Sequence, residues 1–181
     1  MTQKSEVEKI YYLRNFRMRI ILYIFILVFI NTTNMTQTKR IFLAEDDPDD
    51  RSFFEDALKA LPFQTVLTIA EDGEELMTAL EETVPPKPYV IFIDLNMPRK
   101  NGFECLKEIR ESIKFKDIPV VVLSTSDHEN IIERTYSLGA NLFICKPADF
   151  RLLKKAIEIV LASDLVTGGQ TVKEKYHLEV T

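Results

Sequence analysis

From residue 38 onward, short β-type apolar runs alternate with segments that have helical periodicity. The strand-like runs cover residues 40–44, 65–70, 89–93, 120–123 and 142–145, and the helical segments cover 49–60, 74–82, 101–111, 130–138 and 149–162. Strands that alternate with helices predict parallel pairing, because each crossover returns the chain to the same end of the sheet. The chain is therefore expected to form an α/β fold, a doubly wound five-stranded parallel sheet with helices on both faces.

The composition fits one globular domain. With 181 residues, 46% of them hydrophobic, the chain can bury one good core. Its net charge of −5 provides no basic field for nucleic acid, so no nucleic-acid partner is expected. The two cysteines, Cys105 and Cys145, lack metal-ligand spacing and are expected to be reduced, mostly buried thiols.

The first 34 residues are a different kind of sequence. They carry five basic and two acidic side chains, and residues 20–30 are eleven consecutive apolar residues. That run is shorter than the roughly 20 residues that a bilayer span needs, and extending it back to residue 10 would include three arginines. Three interpretations stay open: a translation start mis-assigned upstream of Met35, a membrane-tethering helix, and a secretory signal without a small-residue cleavage site.

These observations predict three parts of the chain. Residues 1–37 form a basic and apolar N-terminal extension, residues 38–163 form the globular domain, and residues 164–181 form a flexible tail. The location is expected to be cytoplasmic, with tethering to a membrane if residues 1–34 are translated.

Charged side chains follow three of the predicted strands. Glu45 and Asp46 come after the first strand, Asp94 after the third, and Lys146 after the fifth, while the hydroxyl of Ser124 follows the fourth. The carboxyl ends of parallel strands share one edge of the sheet, where ligands bind. We therefore expect these five side chains to converge.

Such a set suits phosphoryl chemistry on a carboxylate. Asp94 can attack phosphorus and hold the phosphoryl group as a mixed anhydride. Glu45 and Asp46 supply oxygen ligands for Mg²⁺, while Lys146 and Ser124 can bind the remaining phosphoryl oxygens. Each residue alone has a plainer explanation, as a helix cap, a solvated turn residue or a core-edge hydroxyl. Their common position favours the joint interpretation.

The same motifs resemble the receiver domain of two-component response regulators. The resemblance covers about residues 38–163 and rests on Glu45-Asp46, Asp94 with Met97-Pro98 and Asn101-Gly102, Ser124-Thr125, and Lys146-Pro147. It implies a flavodoxin-like receiver fold with strand order 2-1-3-4-5. It also implies that Asp94 accepts a phosphoryl group from a sensor histidine kinase or a histidine phosphotransfer protein.

The resemblance assigns further roles. Asp46 and Asp94 would ligate Mg²⁺ directly, Asn96 through its backbone carbonyl, and Glu45 largely through water. Ser124 would bind the phosphoryl oxygen and Phe143 would pack inward behind it, which shifts the surface of the fourth helix, fifth strand and fifth helix. That surface would meet a downstream protein or form a homodimer.

The resemblance also implies the type of protein. The chain would be a stand-alone signalling phosphoacceptor that catalyses only its own phosphorylation and dephosphorylation. It looks similar to chemotaxis regulators, and residues 45–50 and 123–127 look closer to the regulators paired with bacterial phytochromes. Three positions depart from the commonest pattern: Ser124 replaces threonine, Phe143 replaces tyrosine, and Asn101 replaces aspartate.

Three other functions fit the sequence less well. An aspartyl-phosphate phosphohydrolase generally needs an acid two residues after the nucleophile, where this chain has Asn96. A flavodoxin-like cofactor binder needs a hydroxyl- and glycine-rich loop after the first strand, where this chain has acids. A pure interaction module would leave the acidic set without a role.

Overall fold

The computed structural model describes residues 38–162 and 169–180, so the predictions for the N-terminal extension lie outside the described residues. The strands are β1 (Lys39–Ala44), β2 (Thr65–Ala70), β3 (Val90–Asp94), β4 (Val120–Ser124), β5 (Leu142–Cys145) and β6 (His177–Leu178). The helices are α1 (Pro48–Lys59), α2 (Gly73–Thr83), α3 (Gly102–Glu111), α4 (Glu129–Ser137) and α5 (Phe150–Ala162), with a 3₁₀ turn at Lys173–Lys175.

All described strands pair in parallel, in the order β2-β1-β3-β4-β5-β6. The predicted α/β class, the parallel sheet and the order of its first five strands are confirmed. The number of strands is not, because β6 adds a sixth at the edge of β5. A strand of two residues shows no alternation of apolar and polar side chains, so the sequence pattern does not reveal it.

Successive strand residues face opposite sides of the sheet, and each side is covered by its own helices. Phe42 and Ile91 belong to a core with the apolar sides of α2 and α3, and α4 packs against it. Ile41 and Phe92 belong to a second core with α1 and α5. The central strands β3 and β4 are buried on both sides, as their continuous apolar runs predict.

Helices α1 and α3, which flank the predicted site, begin with side-chain caps at Asp47 and Asn101, after connections from β1 and β3. Asp47 accepts hydrogen bonds from the N–H groups of Asp49 and Asp50 at the start of α1. At the start of α3, Asn101 and Glu104 cap each other's backbone N–H groups. These caps end each strand-to-helix connection within a few residues, which keeps the strand-end side chains close to the sheet.

Part of the segment assigned to the tail is built into the sheet. The N–H of Phe143 donates to the carbonyl of Tyr176 at 2.8 Å, and β6 continues this pairing. The Tyr176 ring is 1% exposed, and its hydroxyl donates to Thr135 Oγ1 on α4 at 2.9 Å. Residues near the end of the chain therefore join α4 to the edge of the sheet.

Two sequence expectations concern thiols and membranes. Both cysteines are free, with Cys105 buried and Cys145 partly exposed, and burial raises the pKa of the Cys105 thiol to about 12. Within residues 38–162 and 169–180, none of the helices has the length and apolar character that crossing a bilayer requires.

Candidate functional site

The parallel sheet brings the strand-end side chains of β1, β3 and β5 together. Lys146, just after β5, lies 2.6 Å from Glu45 Oε2 and 3.1 Å from Asp94 Oδ1 through its Nζ atom. The three residues come from strands that are not consecutive along the chain, as the topology requires. The structure therefore places these predicted residues at one point on the carboxyl edge of the sheet.

Lys146 is the cation at the centre of this cluster. Its side chain is 15% exposed, and a third carboxylate, Asp50 Oδ2, lies 2.9 Å from Nζ. Burial acts to lower the pKa of the Lys146 ammonium, but the hydrogen bonds to Glu45 and Asp50 and the charge of Asp94 outweigh it, so its pKa lies above the usual value. Lys146 is therefore a fixed positive charge at neutral pH.

Glu45 is the most deeply buried carboxyl among the partners of Lys146. Its side chain is 3% exposed. Burial raises the pKa of Glu45 to about 7, although the hydrogen bond and charge of Lys146 act in the opposite direction. A second cation at this edge would complete the neutralisation of the buried acids.

The donor set fits a hard divalent cation. One carboxylate oxygen from each of Glu45, Asp46 and Asp94 lies within 4.8 Å of the others. Glu45 and Asp94 are buried whereas Asp46 is exposed, so the cluster opens to solvent on one side. Mg²⁺ and Mn²⁺ bind to oxygen ligands such as carboxylates, and Mg²⁺ usually keeps several of its water ligands. A cluster that is open on one side leaves room for that water.

Both oxygens of the Asp94 carboxylate have a partner in the protein. Its residue is 4% exposed. One carboxylate oxygen contacts Lys146, and the other accepts a hydrogen bond from the backbone N–H of Asn96 at 2.7 Å. The predicted metal-binding role of Asn96 concerns its carbonyl oxygen and stays a prediction. These contacts fix the orientation of the Asp94 carboxylate, which is the predicted nucleophile.

The loop after Asp94 needs glycine at one position. The N–H of Gly102 donates to the carbonyl of Leu95 at 3.1 Å, so the start of α3 packs onto the end of β3. A Cβ atom at Gly102 would collide with the backbone carbonyl oxygen of Asp94. Gly102 of the Asn-Gly motif is therefore required because the backbone of the loop that holds Asp94 lies too close for a side chain.

The same loop is anchored by an ion pair that the sequence does not reveal. Arg99, in the left-handed region with φ of 59°, pairs with Asp72, whose side chain is fully buried at the start of α2. The other oxygen of Asp72 caps α2 by accepting from Glu74 and Glu75 N–H groups. The side chain of Asp72 thus joins the loop after β2 to the loop after β3.

Arg51 anchors the acidic loop after β1. Its Nη1 donates to the carbonyl oxygens of Glu45 at 3.0 Å and Asp46 at 2.9 Å, and its Nη2 lies 3.2 Å from Glu71. The backbone of the acidic pair is therefore fixed from helix α1.

The two predicted switch residues lie on neighbouring strands. Ser124 ends β4 and is 1% exposed, and its Oγ accepts from the N–H of Ser126 at 3.2 Å. Its carbonyl accepts from the N–H of Lys146 at 2.7 Å, so it lies beside the lysine along the edge. Phe143 is fully buried and packs with its ring against Tyr176 and His177. Their movement on phosphorylation stays a prediction.

The family model for the response regulator receiver domain matches residues 41–158, which contain every residue of the cluster. The chain therefore belongs to the response regulator receiver family. This confirms the family that the sequence motifs indicated.

Individual relatives include a phytochrome-type and a chemotaxis protein. Response regulator Rcp1 of Synechocystis sp. is 35% identical over 124 residues, which cover 66% of this chain and 84% of Rcp1. Chemotaxis protein CheY1 of Helicobacter pylori is 29% identical over 125 residues, which cover 69% of this chain and 98% of CheY1.

Solved structures of response regulators also align with this chain. The Mn²⁺-bound form of Rcp1 aligns with a TM-score of 0.63 at 32% identity and covers 69% of this chain and 96% of its own. The phosphorylated cyanobacterial phytochrome response regulator RcpA aligns with a TM-score of 0.64 at 36% identity and covers 70% of this chain and 96% of its own. One similar protein thus carries a divalent ion and another a phosphoryl group.

Proposed function

We propose that this protein is a response regulator that accepts a phosphoryl group on Asp94 and signals through phosphorylation-dependent protein contacts. The observation that carries the proposal is the convergence of Asp94, Lys146 and the acidic pair Glu45-Asp46 at one edge of the sheet. The phosphorylated structure of the similar protein RcpA supports it.

The proposed reaction is a displacement at phosphorus. An oxygen of the Asp94 carboxylate attacks the phosphorus of a phosphohistidine, a P–O bond forms, and the P–N bond breaks with its electron pair going to the imidazole, which takes up a proton. Lys146 would neutralise one phosphoryl oxygen and Ser124 would donate a hydrogen bond to another. Both lie next to Asp94 along the strand ends.

We assign Glu45, Asp46, Asp94 and the Asn96 carbonyl to a divalent ion, with Mg²⁺ as the physiological cofactor. When bound, such an ion supplies positive charge that lets two anionic groups approach each other. The Mn²⁺-bound form of the similar protein Rcp1 supports the proposal that the acidic cluster of this chain takes a divalent ion. The residues of this chain contribute the ligand oxygens and hold them in place through Arg51 and Lys146.

The proposed donors are a sensor histidine kinase or a histidine phosphotransfer protein, acting in the cytoplasm where ATP is available. After transfer, Ser124 and Phe143 would bias the surface of α4, β5 and α5 toward a second conformation that a downstream protein or a second copy of the chain prefers. The protein would act as a stand-alone signalling domain over residues 38–163 and would turn over no separate substrate.

Intact mass spectrometry tests the proposal. Incubation with acetyl phosphate and Mg²⁺ should add the mass of one phosphoryl group to the wild-type protein, and Asp94→Asn should show no addition because the amide is a poor nucleophile. Asp49→Asn, an exposed acid on α1, is the matched control and should be labelled like the wild type. Labelling of Asp94→Asn, or no labelling of the wild type, would contradict the proposal.

A further inference from the structure

Helix α1 contributes a carboxylate to the site that belongs to neither the proposed metal ligands nor the proposed nucleophile. Asp50 Oδ2 accepts a hydrogen bond from Lys146 Nζ at 2.9 Å. The N–H of Asp50 donates to the cap residue Asp47 at 3.2 Å, so the first turn of α1 fixes the position of Asp50. The contact joins α1 to the end of β5.

The Lys146 ammonium is surrounded by acceptors: it donates hydrogen bonds to Glu45 and Asp50, and Asp94 is its third ion-pair partner. It has three N–H donors, and the three carboxylates of Glu45, Asp50 and Asp94 lie 2.6, 2.9 and 3.1 Å from its Nζ atom. A phosphoryl oxygen on Asp94 that binds Lys146 therefore competes with these three carboxylates for the ammonium.

The exposed fractions of the three carboxylates indicate which of them loses its contact with Lys146 most easily. The side chains of Glu45 and Asp94 are 3% and 5% exposed, whereas that of Asp50 is 45% exposed. A carboxylate that loses an ammonium contact inside the protein is left without water, which is costly, but an exposed one is hydrated again. The contact of Lys146 with Asp50 is therefore the one that can be given up at the lowest cost.

Charge acts in the same direction. Asp50 brings a fourth carboxylate to a site that already has Glu45, Asp46 and Asp94, and Lys146 is the cation in contact with three of the four. An anionic group that arrives at Asp94 is repelled by Asp50 and also competes with it for the ammonium.

We propose that Asp50 is a positioning residue that holds Lys146 on the α1 side of the resting site and opposes binding of an anionic group at Asp94. The inference rests on the proposed function, since it assumes that Asp94 carries the phosphoryl group. It extends that function by assigning α1 a restraint on the lysine, so that a phosphoryl group on Asp94 competes with Asp50 for Lys146.

Beryllofluoride in the presence of Mg²⁺ is a suitable probe, because it coordinates a carboxylate oxygen and has the shape and charge of a phosphoryl group. Its affinity is measured by titration followed with amide NMR spectra. Asp50→Asn should bind it about three- to fivefold more tightly than the wild type, the size expected for loss of one partly exposed ion pair. Asp49→Asn removes the same charge from the neighbouring position and should stay within about twofold of the wild type.

Two further variants separate positioning from a general effect of mutation. Asp50→Ala should show the same gain as Asp50→Asn, which excludes an effect of the new amide. Asp50→Glu keeps an acid within reach of Lys146 and should return the affinity toward that of the wild type. A purely structural role of Asp50 in the first turn of α1 would give neither the gain nor the rescue.

The outcomes distinguish the two proposals. If the wild type does not bind beryllofluoride, the proposed function fails and the inference about Asp50 falls with it. If the wild type binds but Asp50→Asn binds equally or more weakly, or if Asp49→Asn gains as much, the role of Asp50 is refuted and the proposed function is unaffected.

Discussion

At the scale of single residues, the site combines buried acids with one buried cation. Glu45 and Asp94 are almost inaccessible to solvent, and Lys146 contacts both. One ammonium does not neutralise this cluster, which also includes Asp46. The resting site is therefore short of positive charge, and this shortage is what a divalent ion would relieve.

The raised pKa of Glu45 predicts a pH dependence of stability. Burial raises the pKa of Glu45 to about 7 in the folded protein, from the 4.5 of an ordinary exposed glutamate. The folded state therefore binds more protons between these pH values, so the free energy of unfolding falls as pH rises. Without divalent ions, the contribution of Glu45 should be full below pH 4.5 and should decrease by about 3 kcal/mol by pH 8.

Urea unfolding of the wild type and Glu45→Gln in EDTA, at several pH values, measures this contribution as a difference. The variant should become the more stable protein above pH 7, because its amide needs no counter-charge. Glu82→Gln, which alters an exposed acid of α2, serves as the control and should follow the wild type. A constant difference between wild type and Glu45→Gln across this range would contradict the prediction.

At the scale of elements, the structure joins parts that are distant in sequence by single side chains. Asp72 and Arg99 connect the loops after β2 and β3, and Arg51 connects α1 to the acidic loop after β1. Tyr176 connects the end of the chain to α4 through Thr135. Each contact holds a neighbour of the site in place, although none of these residues belongs to the predicted set.

The packing of Tyr176 predicts a graded loss of stability. Tyr176→Phe removes the buried hydrogen bond to Thr135 and should lower the free energy of unfolding by about 1 kcal/mol. Tyr176→Ala also leaves a cavity beside Tyr136 and Phe143 and should lower it by about 3 to 5 kcal/mol.

Urea unfolding provides the measurement, and Val172→Ala is the matched control. Val172 belongs to the same segment but is 58% exposed, so its truncation should change stability by no more than about 0.5 kcal/mol. Equal unfolding midpoints for Tyr176→Ala and Val172→Ala would show that the segment does not pack against α4.

At the scale of the whole molecule, ion binding should be linked to folding. Glu45 and Asp46 follow β1 whereas Asp94 ends β3, so the three carboxylates lie together only in the folded chain. Mg²⁺ or Mn²⁺ at about one hundred times its dissociation constant should therefore raise the free energy of unfolding by about 2.7 kcal/mol.

Thermal unfolding with and without the ion, at constant ionic strength, measures this increase. Asp46→Asn should lose most of the stabilisation because it removes a ligand, whereas Asp49→Asn should retain it. An equal shift in all three proteins would mean that the ion acts elsewhere.

Much of this architecture could be predicted from the sequence. The first five strands and the five helices begin and end within one residue of the predicted positions, because apolar runs and capping residues mark their ends. The convergence of Glu45, Asp94 and Lys146 followed from the rule that parallel strands share a carboxyl edge.

The remaining features depend on contacts that the linear pattern does not contain. The approach of Asp50 to Lys146 depends on the angle at which α1 leaves its cap, and the two residues are 96 positions apart. The pair Asp72 and Arg99 depends on a left-handed residue that is not glycine. Strand β6 is held by one buried tyrosine rather than by a periodic pattern.

Strand β6 also has a consequence for how the molecule avoids self-association. A strand at the border of a sheet offers its peptide groups as a template on which another polypeptide can polymerise. Here the amide of Phe143 is already occupied by the protein's own carboxyl-terminal residues. Removal of residues 169–180 would uncover the edge of β5 as such a template.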